Sequence, residues 1–278
     1  MDDFTLLMAV YAQDEDAFVR AAYLSATRDQ ELPPTHGVVV QDGPVSPAVA
    51  AWLDEITEDP RTTVVRLPRN LGLAAALNAG LTHVRTDIVA RADADDICLP
   101  QRFATQVPMI AAGLDLVGSA IAELSDDPHA PQRLRRVRTT QAEIEQQARL
   151  ESPFHHPSVV FRKSAVLRAG GYPSGTRMED YLLWVNMLMS GAKVANCDQV
   201  LVLYRTNAGA FARRGGAAMA RSEADLQRYL RLIGFTTRWQ YLRNRVVRGP
   251  LYRYLPSSLR RVAYRLWKSS SSHPTVER

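Results

Sequence analysis

The chain has 278 residues, 46% of them hydrophobic and 23% charged, which is enough apolar content for a large core in one domain plus an appendage. The net charge of +5 is uneven: residues 226–276 contain no Asp or Glu but many Arg, so a basic tail follows an acidic body and points to an anionic surface as partner. Cys98 and Cys197 match no metal-ligand spacing, no apolar run is long enough to cross a bilayer, and Asp2 and Asp3 stand where a secretory signal is basic, so we expect a cytoplasmic chain with reduced thiols, peripheral to a membrane at most.

The first half alternates between strand and helix patterns. Residues 6–11 read as a buried strand, 16–28 as a helix, 37–41 as a Val-rich strand and 48–56 as a helix. Residues 63–67 read as a strand, 73–84 as an Ala/Leu-rich helix, 88–92 as a strand, 100–111 as a helix and 114–118 as a strand. This alternation predicts an α/β fold with right-handed crossovers and a mainly parallel, Rossmann-like sheet with helices on both faces. Such sheets bind ligands beyond the carboxyl ends of their strands, which singles out the loops after Tyr11, Gln41, Leu67 and Ala92. Further on, residues 126–138 read as a loop, 141–150 as a polar helix, 159–162 as a strand and 164–169 as a short helix. Residues 179–190 have helical periodicity, and 193–196 and 200–204 read as two closing strands. We divide the chain into a catalytic domain over residues 1–215 and a basic helical extension over 216–278.

Asp93, Asp95 and Asp96 follow directly after a predicted buried strand. Three clustered carboxylates repel one another, and the cost is high at the mouth of an apolar strand unless a cation or hydrogen-bond donors compensate. Mg²⁺ and Mn²⁺ prefer oxygen ligands and bridge carboxylates to phosphate oxygens. A turn or a helix N-cap competes with this reading, since Asp suits both. Asp42, before Gly43, is either an acceptor for a base or ribose or part of a D-G turn. Asn70 is expected to cap the following helix, whose N-terminus favours anionic groups. Glu179 and Asp180 begin a helix, either as a general base and its neighbour or as acids stabilised by the helix dipole. His155-His156-Pro157 lies in a break and supplies a contact residue at most.

The ordered set Asp42, Asn70-Leu71-Gly72, Asp93-x-Asp95-Asp96, Pro100-x-Arg102, His156-Pro157-Ser158, Gly170-Gly171-Tyr172 and Glu179-Asp180 resembles the family 2 glycosyltransferases of GT-A fold. The resemblance covers about residues 4–207 and is nearest to bacterial enzymes of exopolysaccharide and cell-wall glycan assembly. It implies that Asp42 contacts the nucleotide base and Asp93 the donor ribose or sugar, with Asn70, Arg102 and His156 also lining the donor region. It implies that Asp95 or Asp96, or both, hold Mn²⁺ or Mg²⁺, that Asp180 is the catalytic base and that Glu179 is its neighbour in the acceptor site. A UDP-sugar donor, a glycan or lipid-linked acceptor and inversion at the anomeric centre follow from the same resemblance. Gln41 replaces an acid usual at that place, and the Q-x-x-R-W element of processive synthases is missing, which favours single addition.

Two other classes compete. A nucleotidyltransferase needs a glycine-rich loop after the first strand, where this chain has Tyr11-Ala12-Gln13-Asp14. A nucleic-acid-binding protein would use the basic tail, but no known module is present, and no nucleic-acid partner is expected. In the tail, Leu259, Val262, Ala263 and Leu266 share one helical face and Arg260, Arg261, Arg265 and Lys268 the other, a pattern suited to an anionic membrane interface.

Overall fold

The computed structural model describes residues 3–124, 133–205 and 217–253. The chain forms two compact units, Met1–Arg205 and Thr206–Arg278. In the first, β1 (Phe4–Tyr11), β2 (His36–Asp42), β3 (Thr62–Leu67) and β4 (Ile88–Ala92) alternate with α1 (Asp16–Ser25), α2 (Pro47–Thr57) and α3 (Leu73–His83). After β4 come β5 (Ile97–Cys98), α4 (Arg102–Ala111), β6 (Leu116–Leu124), β7 (Leu134–Arg135) and α5 (Gln141–Ala148). A 3₁₀ turn (His156–Ser158), β8 (Val160–Arg162), α6 (Lys163–Arg168), α7 (Glu179–Met189) and β9 (Val194–Arg205) complete the unit.

The sheet runs β3-β2-β1-β4-β8-β6-β9-β5, with β7 against β6. The β3-β2-β1-β4 block is parallel, β8 is antiparallel to both its neighbours, and β9 is parallel to β6. Most paired positions therefore lie in parallel ladders. The chain builds outward from β1 to β3 and then returns to lay β4 on the other side of β1. That reversal opens a crevice at the carboxyl ends of β1 and β4.

The central strands β1, β2 and β4 bury both faces because residues alternate between two apolar layers. Leu7, Val38 and Val40 face α3 and α7, where Leu77 and Trp184 pack. Leu6, Met8 and Val39 face α1, α2 and α4, with Val19, Trp52 and Phe103.

The structure corrects several sequence expectations here. β5 is only two residues long and has no sequence signature, yet it pairs with β9. The last strand of the first half extends to Leu124 rather than ending at Gly118. The two closing strands are one, β9, because register shifts opposite Ser119–Ile121 absorb the polar Asp198 and Gln199, which point to solvent. The expected loop over 126–138 contains β7 in its described part.

In the second unit, α8 (Ala217–Leu232) and α9 (Arg238–Arg253) follow one another. Asn244 Nδ2 donates to Gln227 Oε1 at 2.9 Å, and Gln227 Nε2 donates to Glu223 Oε1 at 3.0 Å, tying the helices together. The tail helix expected over 259–268 lies outside the described residues. Among the described residues, no helix is long and apolar enough to cross a membrane.

Candidate active site

β4 reads Ile-Val-Ala-Arg-Ala and is buried throughout, delivering Asp93, Asp95 and Asp96 to the β1/β4 crevice. One ligand atom from each of the three lies within 4.8 Å of the others. Asp96 is 2% exposed. Its Oδ1 accepts the Arg205 N–H at 2.8 Å, whereas its Oδ2 is buried with no hydrogen-bond partner among the described residues. Burial first, and then the charges of Asp93 and Asp95, hold its carboxyl well above the usual carboxylate range. Arg205 Nε also donates to the Asp95 carbonyl at 3.1 Å, so the end of β9 clamps the cluster. A buried carboxylate oxygen without a donor, beside two further carboxylates, is a donor set that a hard divalent cation satisfies.

Arg91 lies at the candidate site and was missed by sequence reasoning. It sits two positions before Asp93, is 1% exposed and pairs with the Asp93 carboxylate. Its Nε and Nη1 have no partner among the described residues. Its charge also acts on Asp96, His156, Tyr172 and Glu179. The available signal was a lone arginine inside an apolar strand, since a buried charge requires a partner.

His156 Nε2 and Tyr172 Oη lie 3.1 Å apart, and both rings stand against Trp184. Burial, and then Arg91, push His156 well below its ordinary value, so it lines the site as a neutral imidazole. Burial pushes the Tyr172 phenol up. Tyr172 is fixed by exchanged hydrogen bonds with the Asn78 amide, at 2.8 and 2.9 Å. The approach requires Gly171, whose φ is +73° and whose added Cβ would come within 2.9 Å of Asn78 Oδ1.

Glu179 and Asp180 occupy the first turn of α7, where the helix dipole favours acids. Asp180 Oδ1 accepts the Tyr181 N–H at 2.7 Å. Burial, followed by the Asp180 charge, pushes Glu179 up to about 7. Arg91 and Asp93 also act on Glu179, so this acid pair and the β4 cluster share one electrostatic environment.

Three residues expected at the donor have partners within the fold. Asp42 is buried, with Oδ1 accepting from Leu71 N at 2.7 Å and Oδ2 from Gly72 N at 2.9 Å. Through these two bonds its carboxylate anchors the 70–72 loop. Asn70 does not cap α3: the cap residue is Gly72, at φ +87°. The Asn70 amide instead donates to the Asp42 carbonyl at 3.4 Å. Arg102 is fully buried and gives its donors to Arg91 O at 2.6 Å, Cys98 Sγ at 2.9 Å, Gln106 Oε1 at 3.2 Å and Val159 O at 3.3 Å. It braces the back of β4 with these four bonds.

Residues 7–170 match the family model for glycosyl transferase family 2. The chain belongs to that family. This family 2 glycosyltransferase is 35% identical over 252 residues to the amylovoran biosynthesis glycosyltransferase AmsE of Erwinia amylovora, covering 90% of each chain. It is 31% identical over 264 residues to the UDP-Gal:alpha-D-GlcNAc-diphosphoundecaprenol beta-1,3-galactosyltransferase of Escherichia coli, covering 94% of this chain and 95% of the relative. In fold it is similar to the mannosyltransferase PcManGT of Pyrobaculum calidifontis, solved with GDP-Man and Mn²⁺. That similarity has a TM-score of 0.60 at 18% identity and covers 98% of this chain and 76% of the other. The α/β fold of this family 2 glycosyltransferase is the GT-A type expected from its sequence.

Proposed function

We propose that this glycosyltransferase is an inverting, metal-dependent enzyme that adds one sugar from a UDP-sugar to a lipid-linked glycan. The observation that carries this reading is the Oδ2 of buried Asp96, which has no hydrogen-bond partner among the described residues, within the acid cluster at the β1/β4 crevice. Support for the donor and acceptor classes comes from the E. coli relative, whose name specifies UDP-Gal and a diphosphoundecaprenol-linked GlcNAc. Polysaccharide biosynthesis as the setting follows from the amylovoran relative.

Asp95 and Asp96 would hold Mn²⁺ or Mg²⁺, which when bound offsets the charge of the departing nucleoside diphosphate. Asp93, held by Arg91, faces the donor ribose or sugar. Asp180 takes the proton from the acceptor hydroxyl as that oxygen attacks the anomeric carbon. Glu179 keeps its proton up to about pH 7 and donates a hydrogen bond on the acceptor side. His156 and Tyr172 form the wall between them, and Asp42 acts through the 70–72 loop rather than on the base.

The test is a screen of UDP-sugars with Mn²⁺ or Mg²⁺, read by thermal shift and by donor hydrolysis. We expect one donor to raise the melting temperature with either ion and EDTA to abolish both signals. A donor-dependent shift that survives chelation removes the metal role from the acid cluster.

A further inference from the structure

On α9, Trp239, Leu242 and Val246 are 82%, 51% and 72% exposed. Their i, i+3, i+7 spacing aligns them in one stripe. Exposed Arg238 and Arg245 run along one edge of the stripe, and exposed Arg243 stands on the other. The opposite face of the helix is fixed by buried Asn244, through its hydrogen bond to Gln227 of α8, so the stripe faces away from the helix pair. A row of large apolar side chains left in water marks a contact surface.

Charge decides what the surface contacts. No Asp or Glu occurs over residues 226–276, so the stripe lies in a uniformly cationic stretch. A second copy of this helix would set arginines against arginines. An anionic bilayer fits both properties: Trp settles at headgroup level, aliphatic side chains enter the acyl boundary, and arginine heads reach the phosphates while their stems cover apolar surface. We propose that the Trp239–Leu242–Val246 stripe docks the enzyme on an anionic lipid surface. The stripe is separate from the tail helix expected over 259–268. It deepens the lipid-linked acceptor part of the proposed function, yet flotation reads no sugar transfer and so is tested independently of that function.

The test is flotation of the full chain with phosphatidylcholine vesicles, with and without phosphatidylglycerol. Compared with wild type are a stripe variant (Trp239→Ser, Leu242→Ser, Val246→Ser), a charge variant (Arg238→Glu, Arg245→Glu) and a tail variant (Leu259→Ser, Val262→Ser, Leu266→Ser). Because the substituted stripe and charge residues are exposed, circular dichroism and melting temperature are expected to match wild type. Wild type should float only with the anionic vesicles and detach at high salt. The stripe variant should lose binding by about tenfold or more, and the charge variant should lose its preference for anionic lipid. In a Trp267→Phe background, Trp239 emission should move to shorter wavelength on vesicles. The proposal is overturned if the stripe variant floats like wild type while the tail variant does not. It is equally overturned if the stripe substitutions turn a dimer into a monomer with vesicle binding unchanged, or if Trp emission is indifferent to lipid.

Discussion

Exchanging Asp180 for Asn keeps an oxygen to accept the Tyr181 N–H and removes the capacity to take a proton. Nucleotide affinity is therefore expected to stay near wild type while turnover falls by about a hundredfold or more, measured by calorimetry and by a radiolabelled-sugar assay. Full turnover by the variant removes Asp180 from the base role. Its neighbour Glu179 makes a different prediction, on stability. Its carboxyl is pushed from 4.5 up to about 7 in the folded chain, chiefly by burial. A raised folded-state value means that the protonated form is favoured by folding: the stabilisation is complete below about 4.5 and is lost as pH climbs through about 7. Glu179→Gln cannot ionise and so escapes this loss. Its stability relative to wild type should rise between those two pH values and level off above them, by up to about 3 kcal/mol. A flat difference in denaturant midpoints across that range contradicts the burial account.

At the level of elements, Arg102 separates bracing from donor binding. Arg102→Met keeps apolar volume but strips the Arg91 and Val159 carbonyls of a buried charged donor. Denaturant unfolding should show a loss of about 2–4 kcal/mol, with donor affinity per folded molecule unchanged. Weakened donor binding at unchanged stability would restore the ligand contact that the sequence resemblance implied. β1 to β4 and the helices between them were legible in the sequence because each strand is an apolar run bounded by turn residues and each helix shows its own period. The acid cluster was legible because three aspartates within four residues after a strand are conspicuous. The partners of Arg102 and Asp42 were not legible. Val159 and Arg102 are far apart in sequence, as are Asp42 and Leu71, and periodicity carries no information about such pairings. Asn70 misled for the same reason: a residue type suited to capping says nothing of a carboxylate that reaches the same loop from another strand.

For the whole molecule, the proposed docking is expected to be separable from catalysis. With a soluble acceptor analogue, the Trp239/Leu242/Val246 variant should turn over at the wild-type rate. With an acceptor embedded in anionic vesicles it should fall by about tenfold. Equal rates on both substrates would mean that the stripe adds nothing to acceptor capture.

The clamp between Arg205 and the acid cluster spans from the middle of the chain to the last residue of β9. The segment matched by the family model stops at residue 170, before α7 and β9 are made. A polypeptide cut there would carry all three aspartates and neither Glu179 nor Asp180. Its β6 would be left as a raw sheet edge and Asp96 would have no backbone donor. On the ribosome, the same stretch must wait for residue 205 to emerge before its acids are held in place. A minimal fragment or chimeric transferase built from this chain is therefore expected to need its cut after β9, because the matched segment ends before Arg205, whose backbone N–H holds Asp96.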